Sequence, residues 1–114
     1  MKRLVVLTLI GCASLFLAIM LWAAAGDGEA TFHSMKCQFC HKPDRRSAGP
    51  SLAEIAKAYS GQEQGLTSYL KGESEPLVDL GKGKVMERQL EKTKELSDGQ
   101  RRDLAEYILS FGGK

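Results

Sequence analysis

The chain contains the stretch Cys37-Gln38-Phe39-Cys40-His41, in which two residues separate two cysteines and a histidine follows at once. This spacing is the attachment signature of a c-type haem. Each thiol adds to one vinyl group of the porphyrin, and the histidine then lies beneath the iron, where its imidazole is able to bind as the proximal ligand. The sequence therefore predicts one covalent haem c, attached through Cys37 and Cys40 and ligated by His41.

Three other kinds of site use a Cys-x-x-Cys pair, and each fits the sequence less well. A thioredoxin-like dithiol needs a βαβ context, whereas the apolar pattern of this chain is helical throughout. A zinc site needs two further ligands, and the spacing of His33 and His41 from the cysteines matches no common zinc motif. A structural disulfide suits an exported protein. We therefore favour haem, with a disulfide or a bound metal as the alternatives.

Residues 1–25 have the charge layout of a secretory signal. Lys2 and Arg3 precede a long uncharged run, and Ala25 ends a group of small residues that suits signal peptidase, so we expect cleavage after Ala25. The apolar run over residues 4–22 is nevertheless close to the roughly 20 residues that span a bilayer. An uncleaved membrane anchor therefore remains the alternative.

Cys12 lies inside this apolar run. The preceding Leu9-Ile10-Gly11 is similar to the cleavage box of a lipoprotein. The apolar run continues well past Cys12, so we interpret this cysteine as a small apolar residue and not as a lipidation site.

Residues 26–114 form one small domain. Without Lys2 and Arg3 the chain carries 14 basic residues against 14 acidic ones. Nucleic-acid binding needs a clustered basic face on a basic domain, so this balance argues against a nucleic-acid partner. A domain of 89 residues builds a marginal core of its own, and an apolar macrocycle at its centre would add buried surface. We therefore expect the haem-free protein to fold poorly.

Apolar spacing and capping residues predict an all-α fold around the haem motif. A short helix runs from Glu29 to the motif, with Phe32 as its packing anchor. Ser51 and Ser97 each begin a helix with a capping box, and the helix after Ser51 is expected to end near Gly61. Another helical segment covers residues 63–71. In the last helix, Leu104, Tyr107, Ile108 and Phe111 form an apolar face, and Arg101, Arg102, Asp103 and Glu106 form a polar face.

Three residues are predicted to support or line the haem pocket. Pro50 has a carbonyl that the fixed φ of proline holds in one direction, where it is able to accept the free N–H of His41. A simple turn before the next helix explains Pro50 equally well. Tyr59 and Tyr69 lie on the two helices that should wall the haem, and their hydroxyls are able to reach a haem propionate. A buried ring with an exposed hydroxyl is the alternative for both tyrosines.

Three charged or polar residues near the motif are interpreted as solvated. His33 is expected on the solvent side of the first helix. Arg45 and Arg46 lie in the loop after the motif, and pairing with the haem propionates is their alternative role.

Met86 is the candidate for the second axial ligand of the iron. It follows a glycine-containing loop over residues 73–84 that is long enough to pass around the haem edge from the side of His41. A thioether is a soft ligand that favours ferrous iron and raises the reduction potential. Core packing beside Leu90 is the alternative for Met86. Met35 competes poorly, because it precedes the cysteines on the same short helix.

These motifs together resemble the class I cytochromes c of the small bacterial type with one haem. Besides the haem motif, the resemblance rests on Gly28, Phe32, Gly49-Pro50-Ser51-Leu52, Tyr69-Leu70-Lys71-Gly72, Leu96-Ser97-Asp98 and Leu104-Ala105-Glu106-Tyr107-Ile108. It covers the chain from Gly28 to the C-terminus. The resemblance implies four to five helices wrapped around one covalent haem, with the N- and C-terminal helices packed together.

The resemblance also implies the roles of the site residues. It assigns thioethers to Cys37 and Cys40 and axial ligation to His41 and Met86. Many members of the family place a proline or a second methionine beside the ligand methionine, whereas Val85 and Glu87 flank Met86 here.

The implied function is one-electron transfer between a donor and an acceptor redox protein, without chemical change of a substrate. We expect a monomer without enzymatic activity that works in the periplasm, free after signal cleavage or anchored to the cytoplasmic membrane through residues 4–22. Two alternatives remain. One is a ligand-binding or peroxidase-like haem protein with an open sixth site, and the other is a haem subunit docked in a membrane oxidoreductase.

Overall fold

The computed structural model describes residues 27–80 and 83–113, and every regular element in these ranges is helical. The α-helices are α1 (Asp27–Ser34), α2 (Leu52–Ala58), α3 (Glu63–Leu70), α4 (Lys84–Lys94) and α5 (Asp98–Leu109), and 3-10 helices cover Cys37–Phe39 and Ser110–Gly113. The prediction of an all-α fold is confirmed. The predicted signal or anchor over residues 1–25 lies outside the described residues. Within them, no helix is long and apolar enough to cross a bilayer.

The first and last helices pack against each other, as the resemblance implies. Phe32 of α1 is only 2% exposed, and its ring centroid lies 5.3 Å from that of Tyr107 on α5. A Cβ atom at Gly28 would lie 2.1 Å from the carbonyl oxygen of Asp103. Glycine is therefore what allows α1 to approach the backbone of α5 so closely.

Both predicted capping boxes are present. Ser51 Oγ accepts a 3.1 Å hydrogen bond from the backbone N–H of Glu54, and the carboxylate of Glu54 accepts one of 2.8 Å from the N–H of Ser51. Ser97 and Gln100 make the same reciprocal pair at 3.1 and 3.0 Å. These contacts satisfy backbone groups that a helix N-terminus leaves without a partner, and each cap is worth about 1 kcal/mol.

Three helix boundaries differ from the predicted ones. α1 ends at Ser34 and does not reach the cysteines, because Lys36 adopts the left-handed conformation with φ 62°. α2 ends at Ala58, short of the predicted end near Gly61. α4 begins at Lys84, earlier than the apolar pattern suggests, so Met86 lies in the first turn of a helix instead of at the end of a loop.

The main apolar core lies between four of the five helices. Its buried members are Phe32 of α1, Leu52 of α2, Tyr59 directly after α2, Leu66 and Leu70 of α3, and Leu104, Ala105 and Ile108 of α5. Among the described residues, none of its members comes from α4. The helix that carries Met86 is therefore held by other contacts, and it closes one side of a cavity beside this core.

Candidate functional site

A cavity of about 440 Å³ lies between the haem motif, the apolar core and α4. Cys37, Cys40, His41 and Met86 all line this cavity, together with Phe32, Leu52, Leu66, Leu70, Leu104 and Ile108 of the core. Its volume is in the range of about 300–1,000 Å³ that is typical of cofactor and small-molecule sites. The residues that the sequence singles out for one site therefore meet in one mostly apolar cavity.

A tight turn holds the cysteines and the histidine of the haem motif at this cavity. The turn begins after Lys36, whose left-handed conformation separates this turn from α1. Its 3-10 geometry is closed by hydrogen bonds from the N–H groups of Cys40 and His41 to the carbonyl of Cys37, at 3.2 and 3.0 Å. The short pitch of a 3-10 turn thus fixes the spacing of the two thiols and the imidazole.

His41 is oriented by the loop that follows it. Its Nδ1 lies 2.8 Å from the carbonyl oxygen of Pro50. A carbonyl only accepts hydrogen bonds, so Nδ1 carries the proton and donates it, which leaves the lone pair of Nε2 free for a metal. Gly49 allows the loop to touch the ring, because a Cβ atom there would lie 2.8 Å from His41 Cε1. The predicted contact between Pro50 and His41 is therefore present.

Met86 reaches the cavity from α4. Its side chain is half-buried and lines the same cavity as His41. Met35 also lines the cavity, from the segment just before Cys37. Both described methionines therefore line the site. Of the two, only Met86 comes from an element that is neither the haem motif nor the segment just before it.

Comparison with known proteins identifies the family. The sequence model of the family described as "Cytochrome c" matches residues 25–112 of the chain. The chain belongs to the cytochrome c family. Members of this family carry covalent haem c, so one haem c is the cofactor of this chain, and Cys37 and Cys40 fit its attachment motif.

One relative among the curated proteins supports this membership. It is "Cytochrome c-551" of Stutzerimonas stutzeri, which is 46% identical to this chain over 41 residues. The matched stretch covers 36% of this chain and 39% of the relative. The likeness therefore concerns less than half of either protein.

The residues of the cavity fit the haem of a cytochrome c. Cys37, Cys40 and His41 line the cavity, the hydrogen bond at Nδ1 leaves Nε2 of the imidazole available, and leucine and isoleucine side chains also line it. In the described residues no cluster of three or more His, Cys, Asp and Glu side chains would suit a separate metal ion. Burial also raises the pKa of the Cys37 thiol, whereas reactive dithiols have a lowered pKa. The donor set therefore favours haem over zinc or a redox dithiol.

Tyr59 and Tyr69 both line the cavity of this cytochrome c. The hydroxyl of Tyr59 accepts a 3.1 Å hydrogen bond from the backbone N–H of Leu77, in the segment that leads toward α4. Burial is the main cause that raises the pKa of Tyr59, and it raises the pKa of Tyr69 to about 12. Both phenols therefore stay neutral around pH 7, and Tyr59 ties two sides of the cavity together.

Arg46 has more partners than the sequence indicates. It is exposed, but its Nε donates to a carboxylate oxygen of Glu54 at 2.8 Å. Its Nη2 and Nη1 donate to the two carboxylate oxygens of Asp79 at 2.7 and 3.3 Å. Arg46 is therefore solvent-exposed, as expected, and it also links the loop after the haem motif to the segment before α4.

Arg101 lies elsewhere than its charge predicts. The sequence places it on the polar face of the last helix, whereas in the structure it is only 4% exposed. Its spacing to Leu104 and Ile108 is three and seven residues, so it belongs to the buried stripe of α5. That spacing is the signal that identifies it, and the charge of arginine conceals it.

Proposed function

We propose that this cytochrome c is a one-electron carrier whose haem c is attached at Cys37 and Cys40 and ligated by His41 and Met86. Haem c supplies an iron that accepts and releases one electron. The observation that carries the proposal is that His41 and Met86 line one cavity together with both cysteines. With His41 and Met86 both bound to the iron, no coordination position would remain for a substrate, so the proposed role is that of a carrier and not of an enzyme.

His41 contributes a fixed and electron-rich ligand. Its hydrogen bond to Pro50 holds the ring in one orientation. Such a bond also raises the basicity of the other ring nitrogen, which strengthens its bond to a metal. Pro50 suits this task because its ring fixes the direction of the carbonyl.

Met86 contributes the ligand that sets the balance between the two oxidation states. Its thioether is soft and favours ferrous iron, so a His/Met pair gives a higher potential than two histidines would. Its place in the first turn of α4 would restrict the movement of this side chain between the two oxidation states. Little ligand motion keeps the barrier to electron transfer low.

The walls and rim of the cavity have separate roles. The core side chains, including Leu66, Leu70 and Leu104, exclude water from the interior. Phe39 and Val85 also line the cavity but are exposed. Electrons are therefore expected to enter and leave at this rim, where a redox protein is able to approach.

We also propose that the protein works outside the cytoplasmic membrane, in the periplasm, between a donor and an acceptor protein. The signal-like charge pattern of residues 1–25 supports this location. Attachment of haem c through thioethers supports a role in electron transport. N-terminal sequencing of the native protein tests the location, because a start at Gly26 is expected for a cleaved signal.

An optical experiment tests the proposed ligation. The purified holoprotein is measured oxidised and reduced, with and without carbon monoxide, as wild type, Met86→Ala and Met35→Leu. We expect the weak far-red absorption band of thioether-ligated ferric haem in wild type and Met35→Leu, and its loss in Met86→Ala. Carbon monoxide should bind rapidly only to reduced Met86→Ala. Rapid binding to reduced wild type would mean an open sixth site, and thus a ligand-binding or catalytic haem protein.

A further inference from the structure

α4, the helix that carries Met86, is held by one buried apolar residue, Leu90, and by polar contacts near its C-terminal end. Its buried residues are Leu90 and Thr93, and the main apolar core of the described residues contains no side chain of α4. Thr93 Oγ1 donates a 2.5 Å hydrogen bond to the carbonyl of Leu70 at the end of α3. This attachment lies at the C-terminal end of α4, away from Met86.

Arg101 of α5 completes the attachment. Its Nη1 donates to the carbonyl oxygens of Lys94 at 2.9 Å and Thr93 at 3.2 Å, and also to that of Leu96. Its Nη2 pairs with the carboxylate of Asp98. Carbonyls in the last turn of a helix lack partners within the helix and carry partial negative charge, so a cation stabilises them. We call Thr93 and Arg101 the α4 joint.

The choice of arginine at this position indicates a specific task. Arg101 shares a buried stripe with Leu104 and Ile108. An aliphatic side chain there would fill the space without the cost of removing a charged group from water. Burial of a charged side chain is costly unless it is well paired, and it contributes little net stability compared with an apolar residue. What the guanidinium adds is direction, because Nη1 on the carbonyls at the end of α4 and Nη2 on Asp98 fix the orientation of its plane.

The position of Met86 is sensitive to that direction. Met86 lies seven residues before Thr93, which is about 10 Å along the helix axis at about 1.5 Å per residue. A tilt of about 10° at the joint would therefore move Met86 by about 2 Å. Groups that bind a metal or a ligand must be held to within about 0.5 Å. A small loss of angular control at the joint is thus enough to separate the thioether from its ligand position.

We infer that Arg101 and Thr93 are positioning residues for Met86: the α4 joint sets the angle at which α4 presents the thioether to the sixth position of the haem iron. This inference rests on the proposed ligation by Met86. It assigns a role in the geometry of the ligand to two residues other than the proposed ligands His41 and Met86. It also predicts that the joint controls how often the sixth position opens.

The test compares holoprotein variants of the joint with a neighbour on the same helix. Arg101→Leu removes the bonds to the carbonyls, and Thr93→Val removes the bond to Leu70 with little change of shape. Arg102→Leu is the control, because Arg102 is adjacent to Arg101 but exposed. Three quantities are measured: the far-red band of the ferric protein, the rate of carbon monoxide binding to the ferrous protein, and amide hydrogen exchange in α4 and α5.

The joint variants are expected to loosen Met86 selectively. Loss of one hydrogen bond to a charged group changes an equilibrium by about tenfold or more. Carbon monoxide binding, which requires Met86 to leave, should therefore be about tenfold faster in Arg101→Leu. Thr93→Val should change in the same direction. The far-red band should weaken, and α4 amides should exchange faster while those of α5 stay as in Arg102→Leu.

Two results would overturn the inference. In the first, Arg101→Leu and Thr93→Val retain the band and the carbon monoxide rate of wild type. In the second, amides of α4 and α5 lose protection to the same extent, which would make the joint a general part of the core. A wild-type protein without the far-red band would instead refute ligation by Met86, so the two failures are distinguishable.

Discussion

The contact between α1 and α5 gives a sharp prediction for Gly28→Ala. A Cβ atom at residue 28 would lie 2.1 Å from the carbonyl oxygen of Asp103 and 2.9 Å from Tyr107 Cβ. Neither of these atoms belongs to the free end of a side chain, so the clash is relieved only if the helices separate by about 1 Å. Phe32, at the centre of this contact, would then lose part of its packing against Tyr107.

The expected loss of stability follows from two opposing effects. Overpacking of this kind costs about 1–3 kcal/mol, whereas alanine is about 1 kcal/mol better than glycine in a helix. Taking the upper part of the first range, because the clash is with backbone, we expect a net loss of about 2 kcal/mol. For a domain of this size this lowers the Tm by about 8–16 °C.

Thermal unfolding of the holoprotein, followed by far-UV circular dichroism, measures this change. Gly113→Ala is the matched control, because nothing lies within 4 Å of a Cβ atom at that position. Its Tm should equal that of wild type. A Gly28→Ala protein that is as stable as Gly113→Ala would refute the close approach of α1 to α5.

Three further predictions concern ionisation and the proximal ligand. The N–H of Ser51, and then Arg46, lower the pKa of Glu54 from 4.5, so the contribution of this carboxylate to stability is present above pH 4.5 and declines as the pH falls below it. Urea titrations should therefore find a larger advantage of wild type over Glu54→Gln at pH 7 than at pH 3, and an equal advantage at both pH values would contradict this. Burial raises the pKa of all three tyrosines, most clearly that of Tyr69 to about 12. As the pH rises, the unfolded chain should therefore lose tyrosine protons near pH 10, before the folded protein does, and the stability of the folded protein should fall from there. Tyr69→Phe should reduce this alkaline loss in urea titrations, and an unchanged loss would show that Tyr69 is not buried as described. In Gly49→Ala a Cβ atom would lie 2.8 Å from His41 Cε1, which should displace the ring from Pro50 and weaken the imidazole as a donor to the iron. A redox titration should then give a higher reduction potential than for Gly113→Ala. An unchanged potential would mean that the loop does not press on the ring.

The features of this protein that are predictable from its sequence are those that depend on local interactions. The haem motif and both capping boxes span only a few residues, so their spacing is sufficient to predict them. Phe32 and the apolar stripe of α5 follow from helical periodicity in the same way. The contact of His41 with Pro50 spans nine residues, and the fixed geometry of proline made it predictable.

Other features depend on contacts that no local pattern specifies. Arg46 pairs with Asp79, which lies 33 residues further along the chain, so only the folded structure reveals the partner. The left-handed conformation of Lys36 is unusual for a lysine, and it ends α1 before the pattern of apolar residues ends.

The burial of Arg101 is difficult to predict for a different reason. Its place on the apolar stripe of α5 was visible in the sequence, but a charged residue is almost never fully buried unless it is paired. The pairing groups are backbone carbonyls at the end of α4. Carbonyls are common to all residues, so the sequence gives no sign that they are the partners.

The most direct test of the account is an NMR measurement of the reduced holoprotein in which the methionine methyl groups carry an isotope label. A methyl group bound next to the iron lies over the face of the porphyrin, whose ring current shifts its resonance far upfield. We predict one such methyl resonance in wild type and its absence in Met86→Ala. If all methionine methyl signals of wild type lie in their ordinary region, or if the shifted signal remains in Met86→Ala, then Met86 is not the axial ligand and the proposed ligation by His41 and Met86 is contradicted.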